Sequence, residues 1–151
     1  MSFWSLLGLA FGLLLLPSFA RPRREIHPEL DLPRLLLWWI NSWYCTTWHH
    51  LEVIRLGSLP LSGPAILIAN HTCGADPFLL QATTRRVLGF LIAQEFYDWP
   101  IARPMCLLLG CIPVKRDGRD FSATRESLRT MEHGRVLPLF PAGRISPTSG
   151  H

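Results

Sequence analysis

After Leu51 the chain alternates short apolar runs with segments of helical pattern, and this alternation limits the fold more than any other feature. Ala65–Ala69, Val87–Ala93, Cys111–Lys115 and Val136–Phe140 are brief, rich in Ile, Val or Leu, and bounded by turn residues, which predicts buried strands. Between them the pattern predicts helices over about Asp76 to Arg85, Tyr97 to Leu109, and Asp120 to His133. The last opens at a capping aspartate and closes at Gly134. Strands alternating with helices predict an α/β domain over residues 51–151, with a largely parallel sheet and flanking helices. Pro113 and Pro138 fall inside two of the strand segments, where a missing N–H restricts pairing.

The first fifty residues have a different character. No charged side chain occurs from Met1 to Ala20, and a helix over Phe3 to Ala20 would reach roughly 27 Å, near the hydrocarbon thickness of a bilayer. This predicts a membrane anchor over residues 1–20. A cleaved signal peptide ending at Ser18 and Ala20, or an interfacial helix broken at Pro17, are the alternatives. No basic residue precedes the apolar core as a signal peptide requires. Arg21, Arg23 and Arg24 follow at once, so the positive-inside rule places the remaining chain on the cytoplasmic side. A Pro-rich linker, Arg21 to Pro33, leads to Leu35–Tyr44, with Leu36, Trp39, Ile40, Trp43 and Tyr44 on one side of a helix. That aromatic face suits either the headgroup level of a membrane or the domain's own core.

Charge and cysteine content narrow the partners. Mean hydropathy of +0.20 and 48% hydrophobic residues exclude a disordered polyelectrolyte. A net charge of +4 suits phosphate groups or lipid surfaces and is too modest to imply nucleic acid. Lys115 is the only lysine beside fourteen arginines, and arginine grips phosphate bidentately. Cys45, Cys73, Cys106 and Cys111 do not form a disulfide framework, and neither Cys45 with His49 and His50 nor Cys106 with Cys111 has zinc-ligand spacing. No metal or other cofactor is expected.

Open α/β sheets place ligands at the carboxyl ends of their strands. After the first predicted strand comes Asn70-His71-Thr72-Cys73-Gly74-Ala75-Asp76-Pro77, in which an aspartate at a helix start can reach back to a histidine leaving the strand. The carboxylate then accepts from one ring nitrogen and leaves the other as a general base. Alone, this spacing also fits a structural histidine beside a capping aspartate. The third strand runs Gly110-Cys111-Ile112-Pro113-Val114-Lys115-Arg116-Asp117, and the fourth ends Phe140-Pro141-Ala142-Gly143-Arg144-Ile145-Ser146. Cations at neighbouring strand ends facing a His–Asp pair would make a pocket for a phosphorylated alcohol. The plainer reading of Arg116 is a solvated charge paired with Asp117 or Asp120.

Taken together and in order, N-H-T-C-G-A-D-P, G-C-I-P-V-K-R and F-P-A-G-R-I-S resemble the first three motifs of the glycerolipid acyltransferase family, which includes the lysophosphatidate and glycerol-3-phosphate acyltransferases. The resemblance implies that His71 is the general base toward an acceptor hydroxyl and that Asp76 orients it. It implies that Arg116 binds the acceptor's phosphate, presented by Gly110, Ile112 and Val114, and that Phe140, Pro141, Ala142, Gly143 and Arg144 shape the acceptor site. The implied partners are acyl-CoA or an acyl carrier protein, a glycerol phosphate or lysophospholipid acceptor, and the membrane. A covalent role for Cys73 is the lesser alternative, since the thiol lacks an evident cationic activator besides His71.

Two departures from the family pattern stand out. The third motif ordinarily reads F-P-E-G, and Ala142 occupies the glutamate position, so Arg116 and Arg144 lose a carboxylate partner. The chain also stops at His151, before the helix and apolar strand of the fourth motif, which predicts a fragment of a longer protein. A lipid-binding remnant of the same family, without turnover, is therefore the competing reading.

Overall fold

A computed structural model of the protein describes residues 30–54, 59–116 and 120–145. The predicted anchor over residues 1–20 and most of the following linker lie outside these residues. Among the described residues no helix is long and apolar enough to cross a membrane.

Helix α1 spans Leu32–Thr47, so the linker gives way to helix before Pro33. The Asp31 carboxylate accepts from the Arg34 amide at 3.1 Å, and Pro33 sits in the first turn, where its missing N–H costs nothing. The helix turns Trp38, Ser42 and Cys45 inward. Trp38 packs with Leu30 and Val87, and its indole N–H donates to the Thr84 carbonyl at 2.7 Å. Asn41 donates to the Phe78 carbonyl at 2.8 Å, which pins α1 to helix α2, Asp76–Thr83. Leu36, Trp39, Ile40, Trp43 and Tyr44 are left on the outer side, from 38% exposed at Trp39 to 63% at Ile40. Among the described residues this face does not pack on the core of the domain. Ser42 and Cys45 are small enough for close helix contact, whereas the outer rings are not.

Four short strands follow: β1 (Ala65–Ile68), β2 (Leu91–Ala93), β3 (Ile112–Val114) and β4 (Val136–Leu139). β1 pairs with β4 and β2 with β3, both in parallel, and a parallel bridge between Leu88 and Val136 joins the two pairs. The predicted α/β class with a largely parallel sheet is therefore present, although all four strands are shorter than predicted. Much of the Val87–Ala93 segment lies outside β2, and Cys111 precedes β3. The prolines explain the pattern. Ala65 and Ala69 donate to the carbonyls of Arg135 and Leu139, so the odd-numbered positions of β4 face β1. Pro138 consequently turns its nitrogen toward β2, where β4 pairs only at Val136. Pro113 likewise turns away from β2, since its neighbour Ile112 donates to Phe90.

The helix predicted over Tyr97 to Leu109 is two helices, α3 (Gln94–Tyr97) and α4 (Ala102–Leu109), separated around Pro100. Gly110, assigned above to the strand presenting Arg116, instead ends α4 in the left-handed conformation at φ 67°. That backbone conformation is one glycine adopts without strain and other residues rarely do. Helix α5 (Phe121–Glu132) is capped by Asp120, which accepts from the Ala123 amide at 2.9 Å.

Two arginines tie the amino-terminal ends of the strands. Arg86, 3% exposed, donates to the carbonyls of Gly63 and Gly134 at 2.7 Å each and of Pro60 at 3.2 Å. Arg135 donates to the Leu109 carbonyl at 2.7 Å. Because these carbonyls precede β1, β3 and β4, the clamps align the strands end to end. Arg86→Gln leaves buried acceptors without donors and is expected to lower unfolding free energy by about 3 kcal/mol, as measured by urea denaturation.

Candidate active site

All four strands run in parallel, so their carboxyl ends share one edge. His71 follows β1 there, and the His71 and Asp76 side chains meet as the spacing predicted. His71 Nδ1 lies 2.9 Å from Asp76 Oδ2, with the two side chains 18% and 13% exposed. The same Oδ2 accepts from the amides of Thr72 at 2.6 Å and Cys73 at 2.9 Å, while Oδ1 receives the Cys73 thiol at 3.2 Å and the Thr72 hydroxyl at 3.4 Å. The turn between strand and helix is therefore wrapped around this carboxylate. Partial burial alone would raise its pKa. The amide of Cys73, the His71 ring, the Thr72 amide and the Cys73 thiol outweigh that and hold it well below the usual carboxylate range. An ionised carboxylate can only accept, so Nδ1 carries a proton toward it, and in the neutral ring Nε2 is the nitrogen with the lone pair.

Phe140, leaving β4, stacks on the His71 ring with centroids 4.3 Å apart and planes within 17°. Phe90 stacks in turn on Phe140 at 6.1 Å, linking the two strand pairs beneath the site. Imidazole orientation is thus set from two sides: a carboxylate at one edge and an aromatic face below.

The remaining predicted site residues fall into separate groups. Pro141, Ala142 and Gly143 form an exposed turn in which the Gly143 amide donates to the Phe140 carbonyl at 2.9 Å. Gly143 takes φ 63°. Ala142 sits at the apex of this turn, and Arg144 beyond it is exposed with no ion-pair partner among the described residues. Ile112 is buried against Ala123 and Leu137, with Val114 packed beside them, so both serve as scaffold below Arg116. Arg116 itself is not drawn to His71. Its Nη1 lies 3.6 Å from Glu95 Oε1. Asp120, considered above as its partner, is engaged by the amides of Lys115 and Ala123.

Glu95 was missed in the sequence because the helix containing it was placed to begin at Tyr97. The end of the apolar run at Ala93, with polar Gln94 and Glu95 following, was the available signal. Cys45, Cys106 and Cys111 are buried free thiols, with Cys111 pushed up to about 12 by burial, and only Cys73 is exposed.

A parallel α/β fold thus carries an oriented imidazole at the carboxyl edge of its sheet. The chain belongs to the acyltransferase family, whose model, described as Acyltransferase, matches residues 49–151. It is 32% identical over 85 residues to a lyso-ornithine lipid O-acyltransferase of Rhodobacter capsulatus, covering 56% of this chain and 30% of that protein. It is 27% identical over 97 residues to a lyso-ornithine lipid O-acyltransferase of Brucella abortus, covering 63% and 36%. An uncharacterized protein of Mycobacterium leprae is 26% identical over 106 residues, covering 64% and 26%. The matched region thus spans about a third of these relatives' length. No solved structure matches.

Asp76 has a lower pKa folded than unfolded, where about 3.9 is usual. Its contribution to stability is therefore fully present above that unfolded value and is lost as pH falls through the folded one. Asp76→Asn is expected to cost about 1–3 kcal/mol. In denaturant titrations the gap from wild type narrows below about pH 4.

Proposed function

We propose that this protein transfers a fatty acyl group from a thioester, acyl-CoA or acyl carrier protein, to the hydroxyl of a glycerol phosphate or lysophospholipid in phospholipid biosynthesis. The observation that carries this reading is the His71–Asp76 pair, held at 2.9 Å over Phe140 with Nε2 facing outward from the hydrogen bond. The family supports lipid acyl transfer in general, and the two named relatives act as lipid O-acyltransferases.

His71 Nε2 takes the proton of the acceptor hydroxyl as its oxygen attacks the thioester carbonyl carbon. Asp76 stabilises the imidazolium that forms. The tetrahedral intermediate expels the thiolate, which recovers the proton from His71, so ester and free thiol are the products. No covalent acyl-enzyme is required, and Cys73, whose thiol donates to Asp76, has no part in transfer. Arg116 attracts the anionic group of the acceptor. The outer face of α1, with Leu36, Ile40, Trp43 and Tyr44 exposed, lies at the headgroup level of the membrane. The catalytic domain then works on the cytoplasmic side, as Arg21, Arg23 and Arg24 imply.

Ala142 favours a second reading, a lipid-binding remnant without turnover. Its exposed turn accommodates a longer side chain, so Ala142→Glu should fold normally. An enzyme weakened by the missing carboxylate gains rate in that variant, whereas a remnant stays inert. His71→Ala is expected to reduce kcat/KM for acyl transfer to a lysolipid by about 10²–10⁴ with circular dichroism unchanged. Transfer persisting within threefold of wild type would overturn the assignment.

A further inference from the structure

The carboxylates at the carboxyl edge of the sheet are committed, with one exception among the described residues. Asp76 is held by His71, Thr72 and Cys73. Asp98 is engaged by Gln94 and Arg103, and Asp120 by two backbone amides. Glu95 is held only by a loose ion pair, its Oε1 3.6 Å from Arg116 Nη1. It follows β2 as Arg116 follows β3, and the parallel pairing of those strands sets the two side chains at adjacent positions on the edge. Both are more than half exposed, and at 3.6 Å their contact is longer than a charge-assisted hydrogen bond. Such a surface pair adds little stability and opens readily.

We propose that Glu95 and Arg116 form a two-charge headgroup site that selects an acceptor carrying an amine close to its anion, that is, a zwitterionic lysolipid. This rests on the acyl-transfer reading above and narrows its acceptor. When such a headgroup enters, its anion replaces Glu95 at the guanidinium and its ammonium replaces Arg116 at the carboxylate, so both charges are again paired. A phosphate monoester satisfies only Arg116 and brings two negative charges against Glu95. Glu95 also explains how Arg116 retains a carboxylate neighbour although position 142 is alanine: the carboxylate comes from the adjacent strand end, on the side where a headgroup amine would bind.

The test uses the full chain in mixed micelles with lysophosphatidate, lysophosphatidylethanolamine and lyso-ornithine lipid as acceptors. Wild type is expected to favour the two amine-bearing acceptors. Glu95→Gln should raise KM for both by about tenfold, equivalent to ~1.4 kcal/mol, and lower KM for lysophosphatidate. Glu95→Asp should restore the original preference. Equal effects on all three acceptors, or a wild-type preference for lysophosphatidate, would overturn the proposal. Binding of the same micelles to His71→Ala with and without Glu95→Gln gives a separate readout. If wild type transfers no acyl group yet the binding preference depends on Glu95, the catalytic reading fails and the headgroup site stands. Binding that ignores the amine overturns the site.

Discussion

The structure depends on a buried guanidinium. Arg86 lies almost wholly out of water and is bonded to three backbone carbonyls from segments that lead into β1 and β4. A guanidinium in such surroundings is costly unless it is hydrogen-bonded, so the segments leading into β1 and β4 cannot drift apart without exposing that cost. Arg135 repeats the device at the end of α4. With the amino ends of the strands aligned in this way, the carboxyl ends line up on the opposite edge. That edge is where His71, Glu95, Arg116 and Phe140 emerge.

The site is built by contrast between its two halves. On the β1–β4 side, a carboxylate is saturated with donors, and the imidazole meets that carboxylate at one edge and Phe140 on one face. On the β2–β3 side, Glu95 and Arg116 are exposed and loosely paired. Fixed placement suits the general base proposed above, which has to meet a hydroxyl within hydrogen-bond reach. Exposed charges, on the reading proposed above, suit the capture of a headgroup. The stack of Phe90 on Phe140 connects the halves through the core.

The parts of the fold that could be read in the chain were those governed by local pattern. Each predicted strand contains an observed one, and Asp120 caps its helix as expected, because apolar runs and side-chain caps depend on neighbours in sequence. Pro113 and Pro138 were legible as constraints, but their consequence required knowing which way each nitrogen faces. Gly110 was placed in a strand because it borders an apolar run. Instead it ends α4 in the left-handed conformation, with the guanidinium of Arg135, twenty-five residues away by number, beside it. The outward side of α1 was drawn correctly as a face. Its exposure was decided by Trp38, whose indole finds a carbonyl at Thr84.

By itself the sequence determined the alternation of strands and helices, the His71–Asp76 pair and its attachment to a strand-to-helix turn, since five residues across one turn bring the groups together without help from the rest of the chain. Only the tertiary structure decided that Arg116 faces Glu95, that Phe140 lies beneath His71, and that Arg86 is internal. Each joins segments distant in sequence, and their proximity follows from strand order and register, which the packing of the whole sheet selects.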